Sequence, residues 1–242
     1  MNDTLTEHDL TTLAHARLIW NTPLSLPHAD DLITLLPVGG GDTIVDLGCG
    51  WGELLLRALL AYPDATGRGI DLSPHNIQRA VARADELGVQ SRVHFEVADM
   101  SVWDGHGDVI ISIGAAHAWG TTSEALTALG RHGSHLLFGG GYWVSPPPPA
   151  LVEMIGEDYA DLGGVVEVAV ARGYRPLHVS VADAREWDSF ETGWCAGLEA
   201  WALDHPETPG ARQARELADQ HRREYFHGYR GVLGFGYLLL VR

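Results

Sequence analysis

Short apolar runs and longer amphipathic stretches alternate along most of this chain. Thr43 to Leu47 is apolar and ends in glycines, and the helix-forming run Glu53 to Leu60 follows at once. Further strands are expected at about 66–71, Arg92 to Val97, Asp108 to Ile113 and Ser134 to Gly139. Within Asp108 to Ile113, Val109-Ile-Ile111 is continuously apolar, as a strand buried on both faces should read. Helical patterns separate the strands: about 52–62, then Pro74 to Leu87 with Gly88 as its stop, then Thr122 to Leu129. Pro74 suits a first helical turn and Gly88 a helix end. Alternation with crossovers of this length predicts a mainly parallel α/β sheet.

The flanks are less regular. Leu10, Leu13, Ala14, Arg17 and Leu18 recur at helical spacing, Asn21 to Pro27 breaks the pattern, and Ala29 to Leu36 predicts a second short helix. Residues 1–37 thus read as a helical cap over the sheet edge or the ligand crevice. After Gly139, the segment Gly139 to Val144 leads into Ser145-Pro-Pro-Pro-Pro149, which predicts an interruption, a stiff extended piece and an irregular helix from about Leu151 to Tyr159. A helix over Leu162 to Arg172 and a strand over Arg175 to Val181 follow. Two helices, Ala184–Leu203 and Ala211–Tyr229, then precede a last strand, Val232 to Val241. The first of these helices carries Trp187, Phe190, Trp194, Leu198 and Trp201 three or four apart, a stripe suited to packing or to a pocket roof. The division expected is one domain, 1–242, with insertions at about 142–160 and 183–229 forming a lid.

Composition narrows the partners. The chain has 242 residues and a formal net charge of -16, from 32 acidic and 16 basic residues. Nucleic-acid binders carry basic stripes, so nucleic acid and anionic membranes are not expected partners. A small diffusible acceptor is. No signal peptide pattern and no membrane span are read, which makes the cytoplasm the default location. Cys49 and Cys195 lack zinc-like spacing, and no metal site is expected.

The stretch Val45-Asp-Leu-Gly-Cys-Gly-Trp-Gly52 concentrates the chemistry. Gly48, Gly50 and Gly52 allow a ligand close to the backbone, and a helix N-terminus stands behind them. Asp46, Asp71 and Asp99 end three successive strands, where ligands bind in open α/β sheets. A carboxylate such as Asp71 can accept from both hydroxyls of a ribose. Asp99 can accept from an adenine amine, with Met100 beside the ring. Dinucleotide sites usually have Gly-x-Gly-x-x-Gly instead.

Together these segments resemble the class I S-adenosylmethionine-dependent methyltransferases of small molecules. The glycine stretch is similar to that family's first motif, Gly69-Ile-Asp-Leu-Ser73 to its acidic second, Val97-Ala-Asp-Met100 to its third, and Ile111-Ser-Ile-Gly114 to the segment after strand four. The resemblance implies a seven-stranded, mainly parallel Rossmann-like sheet with an antiparallel last strand, helices on both faces and helical lid insertions. It implies S-adenosyl-L-methionine as cofactor, held by Asp46, Gly48, Cys49, Gly50, Trp51, Gly52, Asp71, Leu72, Asp99, Met100, Ser112 and Gly114. A long helical insertion before the last strand is less typical of the family.

The expected reaction is in-line methyl transfer to an oxygen or nitrogen of a small metabolite. His117, just beyond strand four, is the candidate general base, with substrate orientation as its other reading. Trp20, Tyr142, Trp143, Trp187 and Trp194 are candidate substrate walls alongside His117. Cys49 reads as a small core residue, since no base partners it. The aromatic helices fit either a lid or a homodimer interface. The alternatives are an NAD-type oxidoreductase, a non-enzymatic nucleoside-binding protein of the same fold, or a methyltransferase of macromolecules, for which the acidic surface would suit a basic peptide.

Overall fold

A computed structural model describes residues 4–155 and 159–242. Seven strands form one sheet: β1 Thr43–Leu47, β2 Thr66–Asp71, β3 Val93–Val97, β4 Val109–Ile113, β5 His135–Trp143, β6 Arg175–Val181 and β7 Leu233–Val241. Their order is β3-β2-β1-β4-β5-β7-β6. The first five run parallel, and β7 pairs antiparallel with both β5 and β6. The expected sheet, with its antiparallel last strand, is present. Strand order reverses between β1 and β4, so a crevice opens beyond their carboxyl ends.

The central strands are buried on both faces, and alternate residues feed two cores. Ile44, Val109, Ile111, Leu137 and Tyr237 pack with the helices on one face. Val45, Ile110, Leu136, Phe138 and Leu238 pack on the other. On the first face lie α2 Leu26–Thr34, α3 Glu53–Ala61 and α4 Pro74–Leu87; on the second lie α5 Thr122–Leu129 and α7 Leu162–Ala171. Asp46 follows the Ile44 face, two residues along β1.

Two departures from the expected boundaries have a clear physical cause. The helix α2 starts at Leu26, three residues before the predicted start, because Ser25 caps it by accepting from the His28 amide and Pro27 lies in its first turn. Proline there removes only an N–H that has no helical partner. Strand β5 does not stop at Gly139 but continues to Trp143, since β7 pairs with all nine of its residues.

The N-terminal helix α1, Glu7–His15, packs against α8, Ala184–Asp204, which pairs with α9, Pro209–Glu224. Small residues permit the approach: Ala14, Ala202, Ala211, Ala214 and Ala218 are fully buried there. A Cβ on Gly197 would lie 2.1 Å from the Leu13 carbonyl. A π-helical turn, Tyr225–Tyr229, joins α9 to the last strand. A short helix, α6, spans Pro149–Ile155; the predicted extension to Tyr159 falls partly outside the described residues, as do the first three residues of the expected cap.

Candidate active site

The turn after β1 is built by glycines in the left-handed region. Gly48, Gly50 and Gly52 have φ of 83°, 54° and 72°. The amides of Gly48 and Cys49 donate to the Ile70 carbonyl at 2.9 and 3.0 Å, fixing the turn against β2. The Gly50 amide donates to Asp71 Oδ2 at 2.9 Å. Asp71 Oδ1 accepts from the Ser73 amide at 2.9 Å and from Asn76 Nδ2 at 3.1 Å. A Cβ on Gly48 would lie 2.5 Å from Ala115 Cβ, whereas one on Gly50 would meet nothing within 4 Å. One glycine is thus demanded by packing, and the other leaves room for a ligand.

A cavity opens at this turn. Asp46, Gly48, Cys49, Gly50 and Trp51 line it on one side, and Trp20, Asn21 and Thr22 close it on the other. Asp46 is 4% exposed. Burial, and then the neighbouring Asp71, push its carboxyl up to about 8. Burial also raises the Cys49 thiol, with Asp46 and Asp71 adding to it, so this cysteine is no nucleophile. Trp51 is fixed: its Nε1 donates to the Ile19 carbonyl and the Arg79 guanidinium lies 4.2 Å from the ring centre.

Asp99 is exposed, and the Ser101 hydroxyl and amide donate to its Oδ1 at 2.7 and 2.8 Å, which holds its carboxyl below the usual range. Leu72, beside Asp71, is 65% exposed. Met100 is buried under the turn, its Sδ close to Gly48. Ser112 is buried, and its hydroxyl donates to the Leu47 carbonyl at 3.0 Å, a tie between β4 and β1.

A second cavity shares Asn21 and Thr22 with the first. Gly114 and Trp187 line it, as do Phe190, Glu191, Glu224 and Tyr229, none of which the sequence singled out as a site residue. The one available signal was spacing: Glu191 stands four residues after Trp187, on the same helical face.

Other expected site residues fall elsewhere. His117 lies exposed on a 3-10 turn, Ala116–Trp119, and lines a separate cavity with Thr121 and Ser123. Its position beyond β4 is as read, but the tight turn carries it out of both cavities described above. Trp194 stacks on His221 with ring centres 3.9 Å apart, and it packs with the α1–α8–α9 cluster. Tyr142 is buried in the sheet core, close over Gly234. Trp143 packs with Leu151, Tyr225 and Tyr229, behind the wall of the second cavity.

Among the described residues, no group of three or more His, Cys, Asp or Glu could hold a metal, and no helix is long and apolar enough to cross a membrane.

Similar proteins share this architecture. A family model described as a methyltransferase domain matches residues 39–148. The uncharacterized protein YjhP of Escherichia coli is 29% identical over 211 residues, 83% of this chain and 85% of that protein. Its crystal structure superposes with a TM-score of 0.86, at 26% identity over 96% of this chain and 98% of that one. A methyltransferase of 27-O-demethylrifamycin SV from Amycolatopsis mediterranei is 34% identical over 154 residues; the match covers 60% of this chain and only 55% of that enzyme. A methyltransferase from Geobacter sulfurreducens, whose structure holds S-adenosyl-L-homocysteine, superposes over the whole of both chains with a TM-score of 0.88 at 25% identity. With the glycine turn, the carboxylates ending β1 and β2 and the reversed strand order in place, this chain is similar in sequence and in fold to the class I S-adenosylmethionine-dependent methyltransferases.

Proposed function

We propose that this chain transfers a methyl group from S-adenosylmethionine to an oxygen or nitrogen of a small metabolite. The observation that carries the reading is the Asp71 carboxylate, which accepts from the amide of Gly50, a residue that lines the first cavity and whose added Cβ would meet nothing within 4 Å. In this assignment Asp71 accepts from the ribose hydroxyls. Leu72 offers an apolar face to the adenine, Asp99 accepts from its amine, and Met100 packs beside it. Asp46, Gly48, Cys49, Gly50, Trp51 and Gly52 surround the methionine portion. Ser112 and Gly114 act on the strand side, Ser112 by holding β4 to β1.

The residues fit a cationic ligand in a further respect. A carboxyl as buried as Asp46 ionises readily only beside a positive charge, and a sulfonium or an α-ammonium group supplies one. When bound, the cofactor provides an already activated methyl group. The protein therefore has to align the acceptor, exclude water and receive a proton where the acceptor carries one. Alignment contributes up to about 7–11 kcal/mol in favourable intramolecular cases.

We assign the acceptor to the second cavity, which meets the first at Asn21 and Thr22. The segment 1–37 acts as a cap over the cofactor and 183–229 as a lid over the acceptor. What supports this is that Trp20, Asn21 and Thr22 line one cavity and Trp187 and Tyr229 the other. A small acceptor is supported by one named relative, a 27-O-demethylrifamycin SV methyltransferase, and by the net charge of -16, which disfavours nucleic acid.

Titration calorimetry with S-adenosylhomocysteine and, separately, with NAD tests the reading. Binding of the first and not the second is expected. Silence with the first sinks methyl transfer, and binding of NAD alone would turn the assignment to an oxidoreductase.

A further inference from the structure

The second cavity has a charge character that identifies its occupant. Two carboxylates, Glu191 and Glu224, are its charged lining, and its lining contains no Lys, Arg or His among the described residues. The aromatic side chains of Trp187, Phe190, Tyr229 and Phe235 share that wall. Aromatic faces attract cations, more strongly where water is excluded.

Glu191 is only 4% exposed. His221 Nε2 lies 2.5 Å from its Oε2, and His221 in turn stacks on Trp194, so the carboxylate is held from behind. Burial, and then Glu191, raise the Tyr229 phenol, which keeps it protonated beside the carboxylate. A carboxylate offers about four acceptor directions, which leaves Glu191 capacity for a further donor.

Two features independent of charge set this wall apart. The indole Nε1 of Trp187 is enclosed and has no protein acceptor, an exception to the rule that buried donors are paired. The chain also enters the last strand through a π-helical turn, closed by the Arg230 amide donating to the Tyr225 carbonyl at 3.0 Å. Such turns are rare and favour functional sites, and this one sets Tyr229 in the cavity wall.

We propose that the methyl acceptor is a small primary or secondary amine. Its ammonium form is anchored by Glu191, within the aromatic wall of Trp187, Phe190, Tyr229 and Phe235. This rests on the methyl-transfer reading above. The ammonium gives a proton to the Glu191–His221 pair. The freed nitrogen lone pair forms the N–C bond to the methyl carbon, the S–C bond breaks with its electron pair going to sulfur, and the product is the methylated ammonium. Charge balances: one positive charge leaves sulfur and one appears on nitrogen. Glu191 is the catalytic residue in this assignment, since it touches the acceptor, and His221 is a positioning residue.

Three probes of one body separate charge from shape: tyramine, 4-ethylphenol and 4-hydroxyphenylacetate, which are cationic, neutral and anionic. Each is titrated into the full chain with and without saturating S-adenosylhomocysteine, followed by calorimetry. Tyramine is expected to bind at least about ten-fold more tightly than 4-ethylphenol, with 4-hydroxyphenylacetate weaker still, and Glu191→Gln is expected to abolish the preference. Equal or reversed affinities, no binding of tyramine, or a preference that survives Glu191→Gln would overturn the proposal. If that variant melts early, the order of the three probes on the unaltered protein decides alone. The homocysteine product reports on the other reading separately: its failure to bind, with the tyramine preference intact, removes methyl transfer and leaves a cation site.

Discussion

The Gly50 amide donates to Asp71 Oδ2 over 2.9 Å, so the turn after β1 and the end of β2 are one unit. Asp71 also accepts from the Ser73 amide and Asn76 Nδ2, which hold its carboxylate at the start of α4. Asp71→Ala deletes the acceptor assigned to the ribose and frees three donors at once. Hydrogen bonds to charged groups contribute about 1.5–3 kcal/mol. The affinity for S-adenosylhomocysteine is therefore expected to fall about 10- to 100-fold, read by calorimetry. An unchanged affinity would show that the ligand does not use this carboxylate.

The glycine turn separates two kinds of damage. Gly48→Ala imposes a left-handed backbone and drives a Cβ to 2.5 Å from Ala115 Cβ. Backbone strain of about 1–2 kcal/mol and overpacking of about 1–3 kcal/mol should add. Gly50→Ala keeps the strain, but its Cβ enters open space on the cavity side. Thermal unfolding should therefore fall much further for Gly48→Ala. Gly50→Ala should stay folded and lose ligand affinity instead.

These glycines were legible in the sequence because strand, turn and helix are contiguous there, and each signal is local. The same locality explains what was missed. Gly139 to Gly141 looked like the end of a strand, yet pairing with β7, almost a hundred residues away, keeps them extended. Pro27 looked like a breaker and lies instead in the first turn of α2. His117 follows β4 as expected, but a single 3-10 turn redirects it to another cavity. Apart from its spacing from Trp187, nothing local marks Glu191 as a buried glutamate. Its burial comes from α9 and the π-helical turn, which reach it only in three dimensions.

The N-terminal segment is tied to α8 through Glu186. Its Oε1 accepts from the Ser25 amide at 2.8 Å and the Ser25 hydroxyl at 2.6 Å, and lies 3.0 Å from His28 Nδ1. Its Oε2 accepts from the Asp183 amide at 2.9 Å. Burial alone would raise this carboxyl, but the Ser25 donors, the Asp183 amide and His28 hold it below its ordinary value. Glu186→Ala strips the start of α2 and the start of α8 of a common acceptor. A loss of about 2–4 kcal/mol is expected, as for a broken buried charged network. Hydrogen exchange should quicken first over residues 22–34. Protection there equal to that of the unaltered protein would show that the cap is held by apolar packing alone.

The buried Asp46 gives the protein a pH dependence whose sign can be worked out. Its carboxyl titrates near an ordinary 3.8 when unfolded and is pushed up to about 8 in the fold, by burial and then by Asp71. Between those values the folded chain holds a proton that the unfolded chain has released. Stability from this group is thus fully present below about pH 4 and is lost as pH rises toward 8, at up to about 1.4 kcal/mol per pH unit. Asp46→Asn cannot ionise and should flatten that part of the profile, raising the stability of the ligand-free protein at pH 8 relative to the unaltered chain. A cationic ligand reverses the preference, because it favours the carboxylate. Binding of S-adenosylmethionine, with its sulfonium, should therefore release a proton at pH 7, seen as a calorimetric heat that varies with the ionisation enthalpy of the buffer. The demethylated product, which lacks the sulfonium, should release less. If the heats of both are independent of buffer, Asp46 is not the group that meets the positive charge.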